Sequence, residues 1–386
     1  MEFYGEPAFF VILAPLAMVA AALGLRGRSL ALARYGCLAS LVLLYLLFFR
    51  SVPSLLYASC YIIASLFLYQ WVRGLFERKD PHALALYRVA LAVQIAPLAL
   101  YKVGVLFAPD FPGFLGISYI TFKAVQVLIE VRDGLIDDMG PFEYLYFLAF
   151  FPTFTSGPIL RSRAFVDDIR TPLTRDTYAD RLYRGIGWFV VGAAYKFVAA
   201  SLAQWALWFV PTVAKLPVLA WLAQAFFYGL DLFFDFAGYS YMAMGVGLVL
   251  GIQVPRNFHL PFLATDIKEF WDRWHITLST WLRDFVFMRF TRFALGRKLF
   301  SDRVSCACVG FMLNMTLMGV WHGITLDYIV YGIYHGLLLA GYHVFQQKSS
   351  FYKKHRRERW FKVVSWAITM IAVFFGFALF GGYVFG

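Results

Sequence analysis

Ten apolar runs, most of them close to 20 residues long, occupy the greater part of this 386-residue chain and decide the solvent in which it folds. A helix needs roughly 20 consecutive apolar residues to cross the hydrocarbon core of a bilayer. Runs of that kind lie at about 8–24, 36–50, 54–72, 84–107, 114–131, 185–209, 218–250, 304–322, 328–347 and 363–385. The run at 218–250 is long enough to be strongly tilted or broken. With 61% hydrophobic residues, 15% charged residues and a mean hydropathy of +0.66, the chain is far outside the soluble range. These observations predict an all-α polytopic membrane protein of about ten to eleven spans, forming one membrane domain over 1–386 with its functional core at roughly 114–347.

Two segments are apolar yet interrupted. FEYLYFLAFFPTFTSGPI at 142–160 contains Pro152, Gly157 and Pro158, and 255–300 alternates apolar and charged stretches. Both are expected as re-entrant or interfacial elements. Irregular backbone at membrane depth is tolerated where it is buried in protein or lines a wet cavity, so the two segments together predict a cavity or tunnel.

Orientation follows from the basic residues. They cluster at Arg26, Arg28 and Arg34, at Arg73, Arg78 and Lys79, across Arg161 to Arg184, across Arg283 to Arg303, and across Lys348 to Lys362. All five clusters fall on one side of the expected topology, which the positive-inside rule makes the cytoplasm. Glu2, Glu6 and Gly386 are then extracytoplasmic. The net charge of +12 is accounted for by this topology and by anchoring to anionic lipids. Nucleic acid is a poor partner, because the cations are dispersed over many loops.

No cleaved signal peptide is expected, since Glu2 and Glu6 stand where a basic leader segment would be. Cys37, Cys60, Cys306 and Cys308 lie within or at the edge of apolar runs and read as small buried hydrophobes, with neither disulfide nor metal indicated.

The chemistry is expected in the block FLATDIKEFWDRWHITLSTWLRDFVFMRF and the span ending NMTLMGVWHG. Asp266 with Glu269 has the form of a capping box, and Lys268 with Asp272 and Glu269 with Arg273 are spaced as i,i+4 pairs. Trp271, Trp274, His275, Leu278 and Leu282 share the other face of that helix, so helical periodicity presents His275 to aromatic surroundings. A satisfied structural histidine is the competing reading.

His322 ends an apolar span and shares a face with Asn314 and Met318, flanked by Trp321 and Gly323. A neutral imidazole there can take a proton from a hydroxyl. A histidine anchoring a helix end is the alternative, and His335 and His343 fit it better. Asp231 and Asp235 should face the bundle interior, Asp235 paired with Tyr239, while Lys123 and Lys196 either snorkel or pair with these acids.

FFPTFTSGPILRSR at 150–163, FDFAGYSYMAMG at 234–245, PRNFHLPFLATDIKEFWDRWHITLSTWLRDFVFMRF at 255–290 and NMTLMGVWHGITLDYIVYGIYHG at 314–336 carry a resemblance that covers most of the chain from residue 114 onward. It resembles the membrane-bound O-acyltransferase family, and within it the branch that transfers D-alanine to teichoic acid. The resemblance implies a D-alanyl thioester presented on the phosphopantetheine arm of a small cytosolic carrier protein, with no cofactor bound directly. It implies an acceptor hydroxyl of teichoic-acid type on the other side of the membrane, and further membrane proteins of the same pathway as partners.

His322 matches the family's catalytic histidine and His275 its second one. Trp274, Ser279, Asn314 and Trp321 fall where a donor arm would run in its tunnel. Phe287, Met288, Arg289 and Phe290 offer an apolar and basic patch for the carrier. Polysaccharide O-acetylating relatives continue the Arg-Asp sequence into a Pro-Leu-Gly-Gly turn and place an Asp after Gly-Tyr-Ser. This chain has FMRFTRF and Tyr241, which favours D-alanine over acetate. A secondary transporter should show related halves, and none is evident. A scaffold that merely recruits the carrier would have no need of His322.

Overall fold

In the computed structural model, residues 3–108, 111–136, 138–213 and 216–385 are described; Glu2 and Gly386, expected outside the membrane, are not among them. Every regular element among these residues is helical. In chain order they are α1 (Pro7–Leu25), α2 (Ser29–Phe48), α3 (Val52–Glu77), α4 (Ala83–Phe107), α5 (Ile117–Arg132), α6 (Pro141–Ala149), α7 (Ser162–Arg170), α8 (Arg175–Ala194), α9 (Ala200–Val213) and α10 (Pro217–Val249). There follow α11 (Ile267–Arg273), α12 (Ile276–Leu282), α13 (Met288–Gly296), α14 (Arg303–His322), α15 (Leu326–Lys348), α16 (Ser350–His355) and α17 (Arg359–Phe380).

Eight described helices are long and apolar enough to cross a membrane: α1 to α4, the continuous Arg175–Val210, α10, α14 and α17. Two of the ten expected spans, α5 and α15, are not among these eight. With 16 residues, α5 is about 24 Å long at 1.5 Å per residue, and 14 of those residues are buried in protein. Its apolar run reflects a protein interior. The other is α15, long enough at 23 residues, but Asp327, His335, His343 and Gln346 dilute its apolarity.

The chain divides into two compact units, residues up to Ala193 with Tyr239–Pro255, and Ala194–Gly238 with residues from Arg256 onward. In the first, the interrupted 142–160 segment is α6, a 3-10 turn at Phe151–Thr153 and irregular chain, nearly all of it buried. Lys123 was expected either to snorkel or to pair with an acid. Its buried ammonium donates to the Phe147 carbonyl in the last turn of α6 and to Thr153 Oγ1, both at 3.1 Å, because α5 packs against α6 and the 3-10 turn after it. Tyr239 was expected to partner Asp235; its hydroxyl lies 2.7 Å from Thr155 Oγ1.

In the second unit Lys196 forms an ion pair with Asp235, as one of the two alternatives foresaw. Here α14 and α15 pack backbone to backbone. A Cβ on Gly319 would lie 2.2 Å from the Tyr328 carbonyl oxygen, and one on Gly332 2.5 Å from that of Met315. Only glycine fits at either position, as at close helix crossings in membranes generally. All four cysteines are free thiols, and Cys60 is exposed on α3, contrary to the expectation of burial. On a spanning helix the outward face meets lipid, so an apolar thiol is as stable there as in a core.

Candidate active site

The block 256–300 is broken where continuous periodicity would run it straight. α11 ends at Arg273, Trp274 is extended, and His275 takes a left-handed backbone at φ 45°, ψ 48° as the first cap of α12. That conformation is uncommon for a residue with a side chain and marks positions held by their surroundings. The holding group is Asn257, eighteen residues upstream. Its carbonyl accepts from Ile276 N at 2.9 Å and its Oδ1 from Thr277 N at 3.2 Å and Thr277 Oγ1 at 2.9 Å. The irregular segment that carries Asn257 is fastened to α11 by His259 N, which donates to the Arg273 carbonyl at 2.9 Å.

The capping box at α11 is half as expected. Asp266 Oδ1 accepts from Lys268 N and Glu269 N, both at 2.9 Å. Glu269 reaches one residue further back, to Thr265 N at 2.7 Å, and also pairs with Arg273 at 2.7 Å. Lys268 was expected to pair with Asp272. Its hydrogen-bond partners are Gln346 Oε1 at 2.5 Å and His343 Nδ1 at 3.0 Å, because α15 packs beside α11 and brings these side chains within reach of the ammonium.

His275 is 3% exposed, and its Nε2 is buried with no hydrogen-bond partner among the described residues. Its ring stands edge-on to Phe236 at 4.8 Å and lies 6.3 Å from Trp321. The neighbourhood is the aromatic one expected, reached by a helix break and not by a helical face. Burial, and after it the nearby His322, holds this imidazole well below the ordinary histidine range. It is therefore neutral, with a nitrogen free to accept or donate according to tautomer.

His322 is the last residue of α14, as the sequence pattern expected. Its ring contacts Trp321 at 4.6 Å, Phe380 edge-on at 5.0 Å and Tyr328 at 6.1 Å. Trp321 thus has both imidazoles as neighbours. His335 is fully buried among Trp271, Tyr331 and Tyr334, with neither ring nitrogen partnered among the described residues.

A cavity of about 290 Å³ lies between α11, α12, α14 and α15. Ser279 and Asn314 line it, and Asn314 Oδ1 is buried there without a partner among the described residues. Trp274 does not line it. That ring is embedded in an aromatic cluster, stacked on Phe270 at 5.6 Å and against Phe377 at 4.8 Å. Trp321 is not among its walls either, and stands between the histidines.

Sequence reasoning did not assign to a cavity Lys268, Asp272 and Arg283, which give one end its charge, or Phe311, Met315 and Met318, which continue it along α14. Burial pushes the Asp272 carboxyl up, against the pull of Arg283. The charged end is at Phe311, over which the Lys268 ammonium lies at 5.8 Å from the ring centre. The apolar end is at Met318, one turn before His322, and Ser279 is likewise one turn after His275. A turn is about 5.4 Å along the axis, so the cavity runs from a charged mouth toward both histidines.

Of the four residues expected to dock a carrier, Phe287 faces inward, lining the cavity and stacking on Phe311 at 4.9 Å. Met288 is half exposed, the Arg289 guanidinium lies 5.8 Å from the Phe285 ring centre, and Phe290 meets Phe300 at 6.2 Å. A single exposed apolar residue remains from the expected patch.

A cavity with charged side chains at one end and methionines at the other, with walls on α12 and α14 that come within one turn of His275 and His322, has the shape to admit an extended chain. Residues 38–381 match the model of the membrane-bound O-acyltransferase family. The chain belongs to the membrane-bound O-acyltransferase family. Among proteins similar to this family member, one named teichoic acid D-alanyltransferase from Bacillus subtilis is 37% identical over 98% of both chains. Another of the same name from Streptococcus thermophilus is 35% identical over all of this chain and 96% of its own. A protein named probable alginate O-acetylase from Pseudomonas syringae is 34% identical over 69% of this chain and 48% of its own length. The chain is thus an O-acyltransferase with multiple membrane passes.

Proposed function

We propose that this acyltransferase moves a D-alanyl group from a carrier-protein thioester to a hydroxyl of a teichoic-acid-type acceptor. The observation that carries the reading is the channel with its charged mouth at Lys268, Asp272 and Arg283 and its apolar end one turn from His322 and His275. End-to-end similarity to proteins named teichoic acid D-alanyltransferase supports D-alanine as the acyl group.

The donor is a thioester on a phosphopantetheine arm, a linear chain containing amides. In this reading Asn314 Oδ1, buried without a partner among the described residues, accepts one amide N–H of the arm. His322 takes the proton of the acceptor hydroxyl, the resulting oxygen attacks the thioester carbonyl, and the C–S bond breaks. The products are a D-alanyl ester and a carrier thiol, the thiolate regaining the proton held by His322. In this reading the neutral ring of His275 and the indole of Trp321, which neighbours both imidazoles, stabilise the charge that gathers on the carbonyl oxygen. The aromatic rings that bury His275 limit the access of water that would hydrolyse the thioester.

In this reading the basic loops face the cytosol, where the carrier docks beside Met288 and the cavity mouth, and the termini are outside. The membrane is the bacterial cytoplasmic membrane. Partial similarity to a probable alginate O-acetylase makes envelope-polysaccharide acetylation the second reading. The two separate on the donor. Vesicles containing the protein, offered labelled D-alanyl carrier and a labelled acetyl donor in turn, should transfer only D-alanine to envelope material. Transfer of acetate alone would overturn the proposal.

A further inference from the structure

A second concave surface lies in the same unit, away from the channel. α15, α16 and α17 enclose a groove of about 690 Å³ whose walls include Leu337, Leu338, Phe345, Phe351, Val364 and Ile368. The outward face of any spanning helix is covered by lipid, and two features set this one apart. It is a groove, of a size that encloses a ligand. It is also capped at one end by the densest run of positive charge in the sequence.

Between 348 and 362 there are seven cations, Lys348, Lys353, Lys354, Arg356, Arg357, Arg359 and Lys362, all exposed, against the single acid Glu358. That acid is already engaged, by His355 Nδ1 at 3.0 Å and by the Trp360 indole N–H. Trp360 and Phe351, each about half exposed, stand between the cations and the apolar walls. Aromatic rings at that position mark the level of lipid headgroups, and clusters of four to eight cations beside a membrane helix attract anionic lipid.

We infer that this groove is a resident site for an anionic glycerophospholipid, one acyl chain lying between α15 and α17 and the headgroup phosphate among the cations of α16 and the turn that follows it. The inference is independent of the donor, acceptor and catalytic residues.

Gly341 provides a clean test, because it lines the groove and a Cβ there would meet nothing within 4 Å. A large side chain at that position fills the groove and leaves the charge in place. Wild type, Gly341→Phe, the smaller Gly341→Leu, and Lys353→Gln/Lys354→Gln/Arg356→Gln would each be reconstituted in vesicles of equal phosphatidylglycerol and phosphatidylcholine. Each would then be extracted in mild detergent and weighed by native mass spectrometry, with helicity confirmed by circular dichroism.

Wild type should retain phosphatidylglycerol over phosphatidylcholine by roughly tenfold or more. Both Gly341 variants should lose that retained lipid, and the triple variant should lose the preference by roughly tenfold. Equal retention of the two lipids by wild type, or undiminished phosphatidylglycerol in both Gly341 variants, would overturn the inference. So would a triple variant that keeps its phosphatidylglycerol while losing affinity for an acidic carrier protein, since the cations would then serve a protein partner.

Discussion

Gly319→Ala should damage both stability and transfer, through one methyl group. The added Cβ would lie 2.2 Å from the Tyr328 carbonyl oxygen and 3.0 Å from Gly332 Cα. Both are backbone atoms, so no side chain can rotate out of the way. Restoring ordinary contact requires α14 and α15 to separate by roughly 1 Å. Overpacking of this kind destabilises by about 1–3 kcal/mol.

The separation also falls at the site. His322 follows Gly319 by three residues, and its neighbour Tyr328 is the residue pushed away. A displacement of about 1 Å at a catalytic group can lower a rate by about 100-fold. The assay pairs thermal unfolding in detergent with transfer in vesicles, and Gly187→Ala is the control, since a Cβ there meets nothing within 4 Å. That control should be neutral or slightly stabilising, alanine being the better helix former. Unchanged unfolding and wild-type transfer in Gly319→Ala, or equal damage in Gly187→Ala, would refute the reasoning.

Asn314→Ala removes a single neutral hydrogen bond to the donor arm, so the KM for loaded carrier should rise by up to about tenfold with kcat little changed; steady-state kinetics at varied carrier concentration read this directly. Lys196→Met strands the Asp235 carboxylate, so it should lower the yield of folded protein more than the double variant Lys196→Met/Asp235→Asn does, as measured by size-exclusion chromatography after membrane extraction. Asp302 caps α14 by accepting from Ser305 N at 2.9 Å and Ser305 Oγ at 2.7 Å, and these bonds hold its carboxyl below the usual range. Its stabilisation is therefore complete above the ordinary Asp value near 4 and fades as pH falls through the lower folded value. Asp302→Ala should show faster amide exchange in the first turn of α14 at neutral pH, with the difference from wild type shrinking on acidification.

Much of the architecture was legible because apolarity sums over whole segments: a run such as 84–107 has few ways to satisfy its backbone except as a spanning helix. The same sum misleads at α5. There Lys123, Gln126 and Glu130 lie in an apolar run that turns out to be wrapped in protein, and local sequence does not distinguish a lipid surface from a protein interior. At the site the residue types were readable and the geometry was not. His275 and His322 stood out as polar groups in apolar surroundings. The break at Trp274 and His275, however, is enforced by Asn257 through hydrogen bonds that no 3.6-residue period encodes.

Lys268 shows the same limit. The i,i+4 rule points to Asp272, but partners on α15 some 75 positions away take the ammonium. Trp274 and Phe287 show it for surfaces. An aromatic residue beside a site is as readily part of the core around it as part of its lining, and the two are separated only once the neighbouring helices are in place.

Acyl transfer as proposed here depends on His322 as the base. The most direct measurement is single-turnover transfer of labelled D-alanine from loaded carrier in vesicles, comparing wild type with His322→Ala at matched helicity and unfolding temperature. Loss of a general base should slow the step by about 100- to 10,000-fold while carrier binding is retained. Transfer by a folded His322→Ala protein at the wild-type rate would contradict the account.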